Sequence, residues 1–158
     1  MTRFKPIYGL FLVLLFMGAV LTADFAMNGG FGHTGFERVS PDQNGTVRIP
    51  IGDLGPLEVR FYRFLNYGNQ EVKFLVGRDG EGILQVAFDA SETDYKRKRG
   101  FRHEGEWLVN NKCDTACRLS EVNGGGGGCA PVPMEHTVVG NDLVLQETDV
   151  LAGWRYFR

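Results

Sequence analysis

From Ile7 to Ala23 the chain carries no charged residue, whereas beyond Thr46 apolar and polar residues alternate in short runs. The two patterns predict two environments. The first run, including Leu10, Phe11, Leu12, Val13, Leu14, Leu15, Phe16 and Met17, is about 17 residues long, just enough for a membrane-spanning helix. Arg3 and Lys5 precede it, and positive charge stays on the cytoplasmic side, so the body is expected outside the cytoplasm. The alternative is a cleaved secretory leader, for which Leu21-Thr22-Ala23 offers a weak cleavage site. The expectation is a transmembrane signal-anchor helix over residues 1–26 in a bacterial inner membrane, single-pass, with a cytoplasmic N-terminus and a periplasmic C-terminal domain. The small pair Gly18-Ala19 lets a second helix approach closely, which makes these residues candidate partner contacts.

Residues 27–45 are rich in Gly, Asn, Ser and Thr and read as a linker. The remainder, 46–158, reads as one extracytoplasmic β-rich domain. Strands are expected at Thr46–Ile51, Leu57–Leu65, Gln70–Val76, Ile83–Phe88, Phe101–His103, Trp107–Asn110, His136–Val139 and Leu143–Gln146. Asp79-Gly80 carries a tight-hairpin signal, and Gly140-Asn141-Asp142 reads as a turn. Thr148 is placed to cap a single helical turn through Leu151. Strands at this spacing predict an all-β fold, a compact sandwich or barrel-like domain behind a single N-terminal transmembrane helix.

Composition adds three constraints. The formal net charge of −2 gives no basic surface for nucleic acid. Twenty-two glycines, about twice the usual share, argue for many turns and against long helices. The run Gly124 to Gly128 is followed by Cys129-Ala130-Pro131, which cannot open the helix that a phosphate-cradling loop needs.

Ionisable groups give no catalytic pattern. His33, His103 and His136 are scattered, and no nucleophile elbow is present, so the chain is not expected to be an enzyme. Glu81, Asp89, Glu92 and Asp94 form an acidic stretch without the spacing of a calcium loop. The basic run Lys96, Arg97, Lys98 and Arg99 is a candidate contact for an acidic partner or lipid headgroups, or else a polar hairpin tip.

Several stretches together carry a resemblance: Val76–Gly80, Val86–Ala90, Lys98–Gly105, Gly128–Pro133 and Gly153–Phe157. In this order they resemble the FtrD-like family of membrane-associated iron–sulfur-containing proteins. The resemblance implies a Cys-x-x-Cys after Phe-Asp-Ala, a second Cys-x-x-Cys further on, and a fifth cysteine after a Gly-Gly pair. Thiolates on such tight turns suit zinc or an iron–sulfur cluster. Here Ser91 and Asp94 stand at the first pair and Asn110 opens the second, so only Cys113 and Cys129 match, while Cys117 has no counterpart. Cys113 and Cys129 are therefore weak metal candidates, which Asp94 or a histidine would have to complete, and no bound cofactor is expected. In an oxidising compartment the competing use is a disulfide: Cys117–Cys129, Cys113–Cys129 or Cys113–Cys117.

Anchor, β domain and missing ligands lead to a non-catalytic accessory subunit of an inner-membrane complex with a degenerate metal site. Its partners would be other membrane-protein subunits and the lipid bilayer, in an electron-transfer assembly, respiratory or photosynthetic. The alternatives are an iron- or copper-binding component of a metal-uptake system and a periplasmic thiol or redox protein.

Overall fold

The computed structural model describes residues 15–18 and 35–158. Most of the expected anchor lies outside the described residues, although 15–18 are helical. Among the described residues no helix is long and apolar enough to cross a membrane. One compact unit spans Gly35–Arg158, so folded chain begins inside the stretch expected to be a linker.

Among the described residues eleven strands form three sheets. The central sheet has the order β1-β3-β4-β5-β9, built from Glu37–Val39, Val59–Leu65, Glu71–Arg78, Leu84–Ser91 and Pro131–Pro133. β1 runs parallel to β3, and the other pairs are antiparallel. A second sheet joins β10 (Thr137–Val139), β11 (Asp142–Gln146) and β2 (Thr46–Pro50). The third joins β6 (Phe101–Glu104), β7 (Trp107–Asn110) and β8 (Ala116–Arg118).

Period-2 alternation sends side chains to opposite faces of the central sheet, and each face meets another sheet. On one face Tyr62, Phe64, Val72, Phe74, Val76, Val86 and Phe88 pack with Val47, Ile49, Leu143 and Leu145. On the other, Phe61, Leu75 and Ala87 pack with Phe101, Leu108, Leu119 and Val122. The result is a β sandwich of three layers. β5 is buried along its whole length because both of its faces are covered, which explains why its sequence reads as a nearly continuous apolar run. Layering also fixes Gly77: a Cβ there would lie 2.8 Å from Val59 Cγ2 and 3.3 Å from Leu119 Cδ1.

The expected strands appear with bounds shifted by one or a few residues. Three short strands, β1, β8 and β9, were not expected, and β1 falls inside the stretch expected to be a linker. The 3-10 helices Tyr95–Arg97, Leu119–Gly124 and Trp154–Tyr156 were also not foreseen. The helix expected behind a Thr148 cap starts two residues earlier: α1 is Glu147–Ala152, and its N-cap Gln146 makes no side-chain capping bond. Thr148 lies within the helix and is not its cap. The Glu147 amide bonds instead to the Gly45 carbonyl at 2.7 Å.

Candidate functional site

The polar end of β5 positions the site. After Phe88 the strand turns from apolar to polar with Asp89 and Ser91, both buried. Asp89 Oδ1 accepts a hydrogen bond from the Phe101 amide at 2.7 Å, tying β5 to β6. Burial pushes this carboxyl up to about 7, opposed by the Phe101 hydrogen bond and the Lys73 charge. Gly100 makes the approach possible. Its φ is +61°, and a Cβ there would fall 2.2 Å from Asp89 Oδ2.

Past Ser91 the chain folds into a short turn. The Asp94 amide donates to Ser91 Oγ at 3.1 Å, which turns the Asp94 side chain back towards the β7–β8 loop. Asn110, buried at the end of β7, organises that loop. Its Oδ1 accepts from the Lys112 amide at 2.9 Å, and its Nδ2 donates to the Cys129 carbonyl at 3.1 Å and Ser91 Oγ at 3.5 Å. Asp114 closes the loop with φ +54° and bonds through its amide to the Asn110 carbonyl. The glycine run delivers the third segment. Gly125, Gly127 and Gly128 all have positive φ, a path that side chains would strain, and it leads Cys129 to the same corner.

One oxygen of Asp94 and the sulfurs of Cys113 and Cys129 lie within 4.8 Å of one another. The Cys129 thiol donates to Asp94 Oδ2 at 3.5 Å. Thr93 Oγ1 donates to the Gly128 carbonyl at 2.9 Å and lies 3.9 Å from Cys129 Sγ. Lys112 Nζ forms a tight ion pair with Asp94 Oδ1. That ammonium holds the Asp94 carboxyl below its ordinary value. The two thiols differ: the Thr115 hydroxyl lowers Cys113, while neighbouring Cys113 raises Cys129. The corner adjoins a cavity of about 70 Å³ whose lining includes Lys73, Asp89, Asp94, Asn110 and Lys112.

Three of the sequence-predicted residues therefore converge, and one does not. Cys117 sits on β8 opposite Leu108, half-buried against the Phe61–Leu75–Leu108 cluster. Burial pushes its thiol up to about 11. None of the expected disulfides is formed, and all three cysteines are free thiols. The physical reason for Cys117 is its side: it belongs to the apolar interface under the third sheet, not to the corner. Cys113 and Cys129 are neighbours, but as thiols.

The other candidates separate. Glu81 lies beyond one end of β5 and Asp94 beyond the other, with Asp89 buried between them, so the acidic stretch is no single cluster. Lys96 and Arg97 lie in the 3-10 helix Tyr95–Arg97 and Lys98 and Arg99 follow it, all exposed. Gly18 lies in the helical stretch 15–18, while Ala19 and His33 lie outside the described residues. His103 and His136 each bond a nearby carbonyl, those of Gly105 and Met134.

Lys112 and Thr115 also belong to the corner, although neither carries a motif in the sequence. The signal that would have found the corner is the set of five positions where the resemblance implies cysteine. Ser91, Asp94, Asn110, Cys113 and Cys129 occupy them, and hydrogen bonds or close contacts join all five.

No curated protein and no solved structure gives a significant match to this chain. One family model does match, described as membrane iron-sulfur containing protein FtrD-like, over residues 56–157. That stretch covers most of the folded unit and every residue of the corner, and the chain belongs to the FtrD-like family.

Proposed function

We propose that this chain is a non-catalytic accessory subunit of an inner-membrane protein complex, built on a family fold whose cluster site has been remodelled. The observation that carries the reading is the replacement of ligands by a hydrogen-bonded knot. Ser91 and Asn110 stand where the resemblance implies thiolates, and they bond to each other, to the Asp94 amide and to the Cys129 carbonyl. A cluster held by four thiolates does not fit this donor set, which offers two sulfurs and one carboxylate. Among the described residues no buried side-chain polar atom is left without a partner, so the corner is satisfied by the chain's own groups.

An apolar N-terminal run, a β domain and a satisfied corner support a bracing role within an electron-transfer assembly, respiratory or photosynthetic. In this reading the N-terminal run is the membrane anchor and the domain lies in the periplasm. A second reading, a metal-binding component of an uptake system, draws on the convergence of Asp94, Cys113 and Cys129.

Isolation of the native protein from membranes in mild detergent, followed by mass spectrometry, separates the two. The accessory reading expects other membrane subunits at fixed ratio through successive columns. A chain that purifies alone overturns it.

A further inference from the structure

The family implies an iron–sulfur group, and the corner disagrees with it in a specific way. Three donors remain, and their chemistry is that of a single ion. We propose that Asp94, Cys113 and Cys129 form a mononuclear site for one thiophilic divalent cation of the zinc class.

The geometry comes first. In a tetrahedral zinc site with Zn–S of about 2.3 Å and Zn–O of about 2.0 Å, a sulfur and an oxygen ligand lie about 3.5 Å apart. Cys129 Sγ and Asp94 Oδ2 are 3.5 Å apart. Two sulfur ligands of such a site lie about 3.8 Å apart. The three donor atoms already fall within 4.8 Å of one another, about 1 Å from the spacing that a single ion requires.

The surroundings are organised in the same sense. Lys112 occupies Asp94 Oδ1 and leaves Oδ2 directed at Cys129. The Asp94 side chain is 10 % exposed, so it is already withdrawn from most of its water. Asn110 is buried and fastens both cysteine-bearing segments, through the Lys112 amide and the Cys129 carbonyl. Hydrogen bonds of this kind around a ligand set orient the ligands and tune the ion. Charge also balances. On binding, each thiol forms a sulfur–metal bond and releases its proton to solvent. A divalent ion with two thiolates and one carboxylate carries one net negative charge, and the Lys112 ammonium beside it offsets that charge. Three protein donors leave one tetrahedral position for water, and Cys113 is exposed, so the site has an open entry.

The proposal rests on the second, metal-binding reading of these three residues, and because it is read on the purified chain its failure leaves the accessory reading untouched. The full chain in detergent is stripped with a chelator, reduced with a phosphine and titrated with cobalt(II), then with zinc(II) in competition. The expected result is about one ion per chain, with sulfur-to-cobalt charge-transfer absorption in the near ultraviolet that zinc abolishes. Cys113→Ser and Cys129→Ser should each weaken binding by at least about tenfold and reduce that absorption, and Asp94→Asn should weaken binding by about tenfold. Cys117→Ser should leave both unchanged. Cys113 is exposed, so its variant keeps the test decisive even if Cys129→Ser unsettles the fold. Absence of the charge-transfer band in the reduced wild-type chain overturns the proposal, as does a band that keeps its full intensity and affinity in Cys113→Ser or disappears in Cys117→Ser.

Discussion

Cys113 and Cys117 are close in sequence and occupy opposite chemical settings. Cys113 projects into the polar corner beside Asp94 and Cys129, where the Thr115 hydroxyl stabilises its thiolate. Cys117 faces the apolar layer beneath the third sheet, where burial holds its proton on. The same contrast divides β5. Its Leu84–Phe88 portion is almost wholly apolar, while Asp89 and Ser91 open the polar end. Residue type alone therefore assigns no role to a cysteine in this fold. The layer that the side chain enters decides it.

The largest effect is expected from the apolar side of the comparison. Leu108 is fully buried, and Leu108→Ala should lower stability by roughly 2–5 kcal/mol in denaturant unfolding while leaving cobalt binding at the corner in place. If metal binding collapses with it, the two regions are one cooperative unit and the comparison fails. On the polar side, Gly100→Ala must place a Cβ against Asp89 from a positive-φ backbone. A loss of about 2 kcal/mol or more is expected by thermal or chemical denaturation. An unchanged midpoint would mean that Asp89 does not depend on this contact.

Asp89 gives a pH-dependent effect. Its carboxyl is raised in the folded chain to about 7 from an ordinary 3.8, so the folded state holds the proton more tightly than the unfolded state. The contribution is fully present below the ordinary carboxyl range and is lost as pH rises through about 7. Stability should fall with a slope of up to about 1.4 kcal/mol per pH unit across this window. The difference between wild type and Asp89→Asn isolates it, because other carboxylates titrate in both. A flat difference would show that Asp89 is solvated.

The smallest effect leaves the fold untouched. In the native reduced chain near neutral pH, a soluble alkylating reagent should modify Cys113 at least about tenfold faster than Cys117. Peptide mapping after timed quenching measures this, and equal rates would erase the contrast between the two cysteines.

Much of this was legible in the sequence because alternation and burial share a period. β3, β4, β7 and β11 follow directly from their apolar spacing. β5 was legible as a strand, but not as the strand covered on both faces, since that depends on which sheets pack above and below it. β1, β8 and β9 are too short to show a period, and their pairing comes from tertiary contacts. At the site, Ser91, Asp94, Asn110, Cys113 and Cys129 were legible as substitutions or survivors in a family pattern. Their convergence was not, because it depends on the Asn110 side chain and on three positive-φ glycines turning the chain back. Lys112 carried no local signal at all. It became part of the site only once Asp94 had been folded towards it.

Two sulfurs and one carboxylate at the corner do not suit an iron–sulfur cluster. The most direct test is acid-labile sulfide and iron analysis on the full chain isolated anaerobically from membranes. Essentially no sulfide and no stoichiometric iron are expected. Recovery of about two to four sulfides per chain with matching iron, lost on Cys113→Ser, would contradict this.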